Sequence, residues 1–68
     1  MRIALNGKAA ELPDGASVAE AVAAAGAGEE QRGVAVAVEG EVVPRGEWDA
    51  TRLRDGQAVE VVRAIQGG

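Results

Sequence analysis

The sequence predicts an α+β fold: a mixed five-stranded sheet with one helix packed on one face, ending in a flexible C-terminal tail. Three observations carry this expectation. Apolar residues alternate with period two in separate runs around Ile3 and Leu5, from Val34 to Val38, and from Ala58 to Ala64. One stretch, Val18 to Ala25, instead places its apolar residues at helical spacing behind a capping signal. Turn signals fall between these runs, at Asn6-Gly7, Pro13-Asp14-Gly15, Glu39-Gly40 and Asp55-Gly56.

Taken in order, Ile3 and Leu5 alternate with Arg2 and Ala4, the period of a half-buried strand. Asn6-Gly7 is a hairpin turn, because both central positions of the tightest turn need positive φ. Lys8 to Leu12 returns as the partner strand, which Pro13-Asp14-Gly15 ends. Ser17 and Glu20 have capping-box spacing at a helix start. Val18, Ala21, Val22 and Ala25 then share one face, and Gly26 supplies the stop. Gly26 to Gly33, with Glu29, Glu30 and Arg32, reads as a solvated loop. Val34 to Val38 gives a third strand and Glu39-Gly40 turns it into a short fourth, Glu41 to Val43, which Pro44 terminates. Trp48 and Leu53 lie in an irregular crossing, and Ala58 to Ala64 is the last strand. Hairpin, helix, hairpin, crossing and final strand make the β-grasp arrangement, with the first and last strands side by side in the centre. Residues 1–65 form this domain and residues 66–68 the tail.

Composition narrows the function. Sixty-eight residues afford one small domain with a modest core, drawn from valines with Met1, Ile3, Leu5, Leu12, Leu53 and Ile65. A net charge of −4 argues against nucleic acid, which needs a basic face. The absence of cysteine removes disulfide, persulfide and thiolate-metal chemistry, and with no histidine a metal site is not expected. Met1 leads straight into an apolar alternation, with no signal-peptide pattern and no run of membrane-spanning length, so the expected location is the cytoplasm.

The side chains offer no catalytic group. Ser17 is the only serine and lacks a histidine to activate it, so helix capping is its simpler role. Glu29-Glu30 reads as a solvated pair. Gly26-Ala27-Gly28 follows a helix where a phosphate loop must precede one. Trp48, the one aromatic residue, reads as a lid on one end of the core.

Two features remain. If Ile3, Leu5, Val36, Val38, Val59 and Val61 face the helix, then Ala4, Ala35, Ala37, Val62 and Ala64 face away from it. A free sheet face normally carries polar residues, so a small, apolar one suits docking against another protein. The chain then closes on Gly67-Gly68 after a strand-like run. Bare backbone can thread a slot too narrow for any side chain, which points to chemistry on the terminal carboxylate.

These residues together resemble the ThiS family, the sulfur carriers of the thiamine pathway, over nearly the whole chain. The resemblance rests on Asn6-Gly7, Ser17-Val18, Val43-Pro44-Arg45 with Glu47-Trp48, Asp55-Gly56, the valine-rich last strand and Ile65-Gln66-Gly67-Gly68. It implies that an E1-like adenylating enzyme of ThiF type activates the Gly68 carboxylate with ATP. Sulfur from a cysteine desulfurase then replaces AMP, and the resulting thiocarboxylate serves a thiazole synthase of ThiG type. Ile65, Gln66 and Gly67 are the implied tail-recognition residues, and the carrier itself is a co-substrate that binds no cofactor. Glu60 and Arg63 depart from the pattern by placing charges in the last strand. A molybdopterin-synthase small subunit and a ubiquitin-like protein modifier are the alternatives of similar fold, and a plain β-grasp interaction module is a third.

Overall fold

The computed structural model describes residues 1–26 and 33–63. Its elements are β1 (Arg2–Leu5), β2 (Lys8–Glu11), α1 (Val18–Ala24), β3 (Val34–Val38), β4 (Glu41–Val43), a single 3₁₀ turn (Arg45–Glu47) and β5 (Ala58–Arg63). The strands form one sheet in the order β2-β1-β5-β3-β4. β1 pairs with β5 in parallel, and every other neighbouring pair is antiparallel. This is the expected β-grasp topology.

Both hairpins are built from the turns read in the sequence. Asn6 and Gly7 have φ of 52° and 82°, and Glu39 and Gly40 have 51° and 83°. Positive φ at both central positions gives the turn a twist that matches that of the strands it joins. A turn of two residues also fixes the register, so Leu5 pairs with Lys8 and Val38 with Glu41.

The helix starts on a complete capping box: Ser17 Oγ accepts from the Glu20 amide, and the Glu20 carboxylate accepts from the Ser17 amide. Two further helix-start amides find partners in the crossing segment, Val18 donating to the Thr51 carbonyl at 2.9 Å and Ala19 to that of Trp48 at 3.2 Å. The orphan donors of a helix N-terminus are thereby satisfied in a partly buried setting. Past the other end Gly26 takes φ of 84°, a conformation that stops the helix at little steric cost.

The core lies between α1 and one face of the sheet. Ile3, Val18, Val22, Val36 and Val59 are fully buried, with Leu5, Ala21, Leu53 and Val61 around them. Each of these large side chains contributes on the order of 1.5–3 kcal/mol by leaving water. Trp48 is buried within the same cluster, and its Nε1 donates to the Val43 carbonyl at 3.0 Å, so the indole carries no unpaired polar atom. Met1 and Leu12 pack at the margin of the core, while Ile65 lies outside the described residues.

Candidate functional site

β5 leads toward the C-terminal residues, and the structure holds it from several directions. On one side β3 pairs along its whole length, from Val38 opposite Val59 to Val34 opposite Arg63. On the other side β1 covers only its first part: the Ala4 amide donates to the Gln57 carbonyl and the Asn6 amide to that of Val59, both at 2.9 Å. There β1 turns away, and the Asn6 side chain takes its place. Its Oδ1 accepts from the Val61 amide at 2.8 Å, and its Nδ2 donates to the Val61 carbonyl at 3.2 Å. One carboxamide thus imitates a strand residue. Glu39 acts similarly at the start of β5, its carboxylate accepting from the Ala58 amide at 2.7 Å. Among the described residues, the two non-glycine residues with positive φ are therefore the two that brace this strand from turns.

Period two divides β5 between the faces of the sheet. Val59 and Val61 are buried against the helix, whereas Ala58, Glu60 and Val62 are exposed on the outward face. The register assembles that face. Ala35 lies opposite Val62, Ala37 lies opposite Glu60, and Ala4 lies beside Ala58 in the parallel pair. The expected docking residues Ala4, Ala35, Ala37 and Val62 thus share one surface, with Val62 57% exposed. Ala64 and the tail residues Ile65, Gln66, Gly67 and Gly68 lie outside the described residues, as does the Glu29-Glu30 pair.

The sequence reading missed the most exposed large apolar side chain among the described residues. Val42 is 73% exposed and stands opposite Ala37, extending the apolar face onto β4. Its position was available from the turn: a two-residue loop at Glu39-Gly40 makes Ala37 and Val42 partners, and opposite residues of an antiparallel pair share a face. Ala9, opposite Ala4, continues the surface onto β2. This face carries few charges. Arg2 and Glu11 pair across β1 and β2 at 3.3 Å, and both are largely in water, so the pair adds little stability.

The hydroxyls have structural work. Ser17 is 5% exposed and caps the helix, and Thr51 Oγ1 donates to the Glu47 carbonyl at 2.8 Å. Among the described residues no three acidic side chains gather where a metal ion could be held, and no helix is long and apolar enough to cross a membrane. What the arrangement offers is a largely alanine and valine surface beside a strand that leads to the C-terminal residues. Such a contiguous apolar surface suits contact with another protein.

Comparison with known proteins agrees with this geometry. The model of the ThiS family matches residues 3–68. The crystal structure of a thiamine biosynthesis protein (ThiS) from Geobacter metallireducens is 33% identical, with a TM-score of 0.80, covering 100% of each chain. The solution structure of a thiamine biosynthesis protein from the same organism is also 33% identical, with a TM-score of 0.78, covering 100% of this chain and 88% of that one. No curated protein matches the sequence.

Proposed function

The chain belongs to the ThiS family, and from that premise we propose that it carries sulfur for thiamine biosynthesis as a thiocarboxylate on Gly68. An E1-like enzyme of ThiF type transfers AMP from ATP to the Gly68 carboxylate, releasing pyrophosphate. The adenylate makes the carbonyl carbon electrophilic; a persulfide charged by a cysteine desulfurase attacks it and releases AMP. A partner thiol then reduces the acyl disulfide, leaving the thiocarboxylate on Gly68 and a disulfide on the partner. The thiocarboxylate then gives its sulfur to a thiazole synthase of ThiG type. The carrier is a co-substrate in each step, working in the cytoplasm, and the acids, bases and nucleotide pocket belong to its partners.

One observation carries this reading: the strand that leads to the tail, β5, is the central strand of the sheet and borders an outward face of alanines and valines. A partner seated on that face has the start of the tail beside it. Extended chain spans at most about 3.3–3.6 Å per residue, so a five-residue segment such as 64 to 68 has a maximum span of roughly 17 Å. That is far enough to enter a site while the sheet docks outside it. Gly67 and Gly68 present no side chain to the passage.

The test is mass spectrometry of the intact protein after incubation with the activating enzyme, ATP and a sulfur source. The expected product gains the mass difference between sulfur and oxygen, located on the C-terminal peptide. Deletion of Gly68 abolishes the gain, and Gly67→Val blocks it by placing a β-branched side chain in the passage, with the fold unchanged in both. Sulfur found at any other residue, or an isopeptide bond from Gly68 to a lysine, overturns the proposal.

A further inference from the structure

Two charged residues stand in β5, and the fold uses one of them. Arg63 has the parity of the buried valines, and its guanidinium donates to the Gly26 carbonyl at 2.7 Å, just past the end of α1. A cation there complements the negative end of the helix dipole. Glu60 has the opposite parity. It is exposed in the middle of the outward face, opposite Ala37 and between Ala58 and Val62 along the strand. Among the described residues its carboxylate has neither an ion-pair nor a hydrogen-bond partner, whereas Arg2 and Glu11, on the same face, neutralise each other.

An unpaired carboxylate is comfortable while water covers it. It becomes costly when an apolar surface settles over the face, because hydration is then lost with nothing in return. The neighbours sharpen the demand. Ala35, Ala37 and Ala58 each contribute a single carbon and offer the exposed carboxylate no polar partner. We propose that Glu60 is the specificity-determining contact of the outward face, and that the protein docking there presents an arginine, set in apolar surface, to its carboxylate. A guanidinium fits best: it gives up water more readily than an ammonium and meets a carboxylate with two parallel hydrogen bonds. The chain's net charge of −4 draws the same basic patch in from a distance. This inference rests on the reading above that an activating partner covers the sheet face.

The test measures the Kd of the full chain for the ThiF-type enzyme of the same cell, by calorimetry at low and high salt. Glu60→Gln is expected to weaken binding about tenfold and to flatten its salt dependence, and Glu60→Arg to weaken it about a hundredfold. Glu41→Arg reverses a charge on the helix-facing side of β4, opposite Val38, and is expected to change Kd by less than about twofold. Exchanging the partner's arginine for glutamate is expected to restore the Glu60→Arg variant. Equal binding by wild type and both Glu60 variants overturns the inference, as does an equal loss from Glu41→Arg, which marks a general field effect. Sulfur on Gly68 is followed separately. If wild type and Glu60→Arg bind and gain sulfur alike, the Glu60 contact falls and the carrier reading stands. If Glu60 governs binding while Gly68 never gains sulfur, the carrier reading falls and the contact stands.

Discussion

Replacing Asn6 by glycine removes the carboxamide that closes β1 onto β5 and leaves the turn backbone at ease. Replacing it by alanine removes the same group and also forces a Cβ into the left-handed region. Two hydrogen bonds to Val61, at 2.8 and 3.2 Å, are lost in either variant. At about 1 kcal/mol each, with the Val61 amide and carbonyl left unpaired in a partly buried place, Asn6→Gly costs about 2 kcal/mol. Asn6→Ala costs about 1 kcal/mol more, because φ is 52° at this position. A domain of this size has roughly 3–10 kcal/mol in all. The glycine variant therefore melts about 8–16 °C below wild type, and the alanine variant a further 4–8 °C lower. Thermal denaturation followed by circular dichroism measures both steps, and amide exchange at Val61 reports the clamp directly. If Asn6→Gly melts within about 2 °C of wild type and Val61 keeps its protection, the clamp contributes nothing. If the two variants melt together, the account of the turn is wrong.

Two further outcomes test the packing. Ser17→Ala is expected to lower stability by about 0.5–2 kcal/mol in urea denaturation while leaving the proposed sulfur loading of Gly68 unchanged, since the hydroxyl caps α1. Val59→Ala and Val62→Ala separate the two faces of β5. The first removes fully buried methyls and is expected to cost about 2–3 kcal/mol. The second trims a side chain that is 57% exposed and is expected to shift stability by less than about 0.5 kcal/mol, its effect appearing in partner binding. Equal losses from the pair would sink the assignment of faces.

Much of the fold was legible because local chemistry encodes it. Asn6-Gly7 and Glu39-Gly40 announce their turns through the backbone they require, Ser17 and Glu20 announce the helix start, and the valine alternation of β3 and β5 announces which side is buried. That Ala4, Ala35, Ala37 and Val62 share the outward face followed from the same alternation. What escaped depends on which strand lies beside which. Asn6 serves its own turn and also Val61, 55 residues away in the chain, and no local spacing signals that second role. Arg63 looked like a misplaced charge until Gly26 appeared beneath it. Trp48 read as a lid on the core, and what local sequence did not signal is the Val43 carbonyl that receives its N–H and lets the indole be buried. Val42 was within reach, since the turn fixes its partner, but an isolated valine in a three-residue strand shows no period of its own.

The order of the strands in space has a consequence for how the chain reaches this state. β5 follows the other described strands in the chain, and it lies between β1 and β3. Until it arrives, the two hairpins are separate half-sheets, each with an inner edge of unsatisfied N–H and C=O groups. Such edges are templates for pairing with other chains. The pairing of Ala4 with Ala58 spans most of the sequence, and contacts of that range slow folding. A chain in which β5 has not yet docked therefore leaves the inner edges of β1 and β3 open to pairing with other chains.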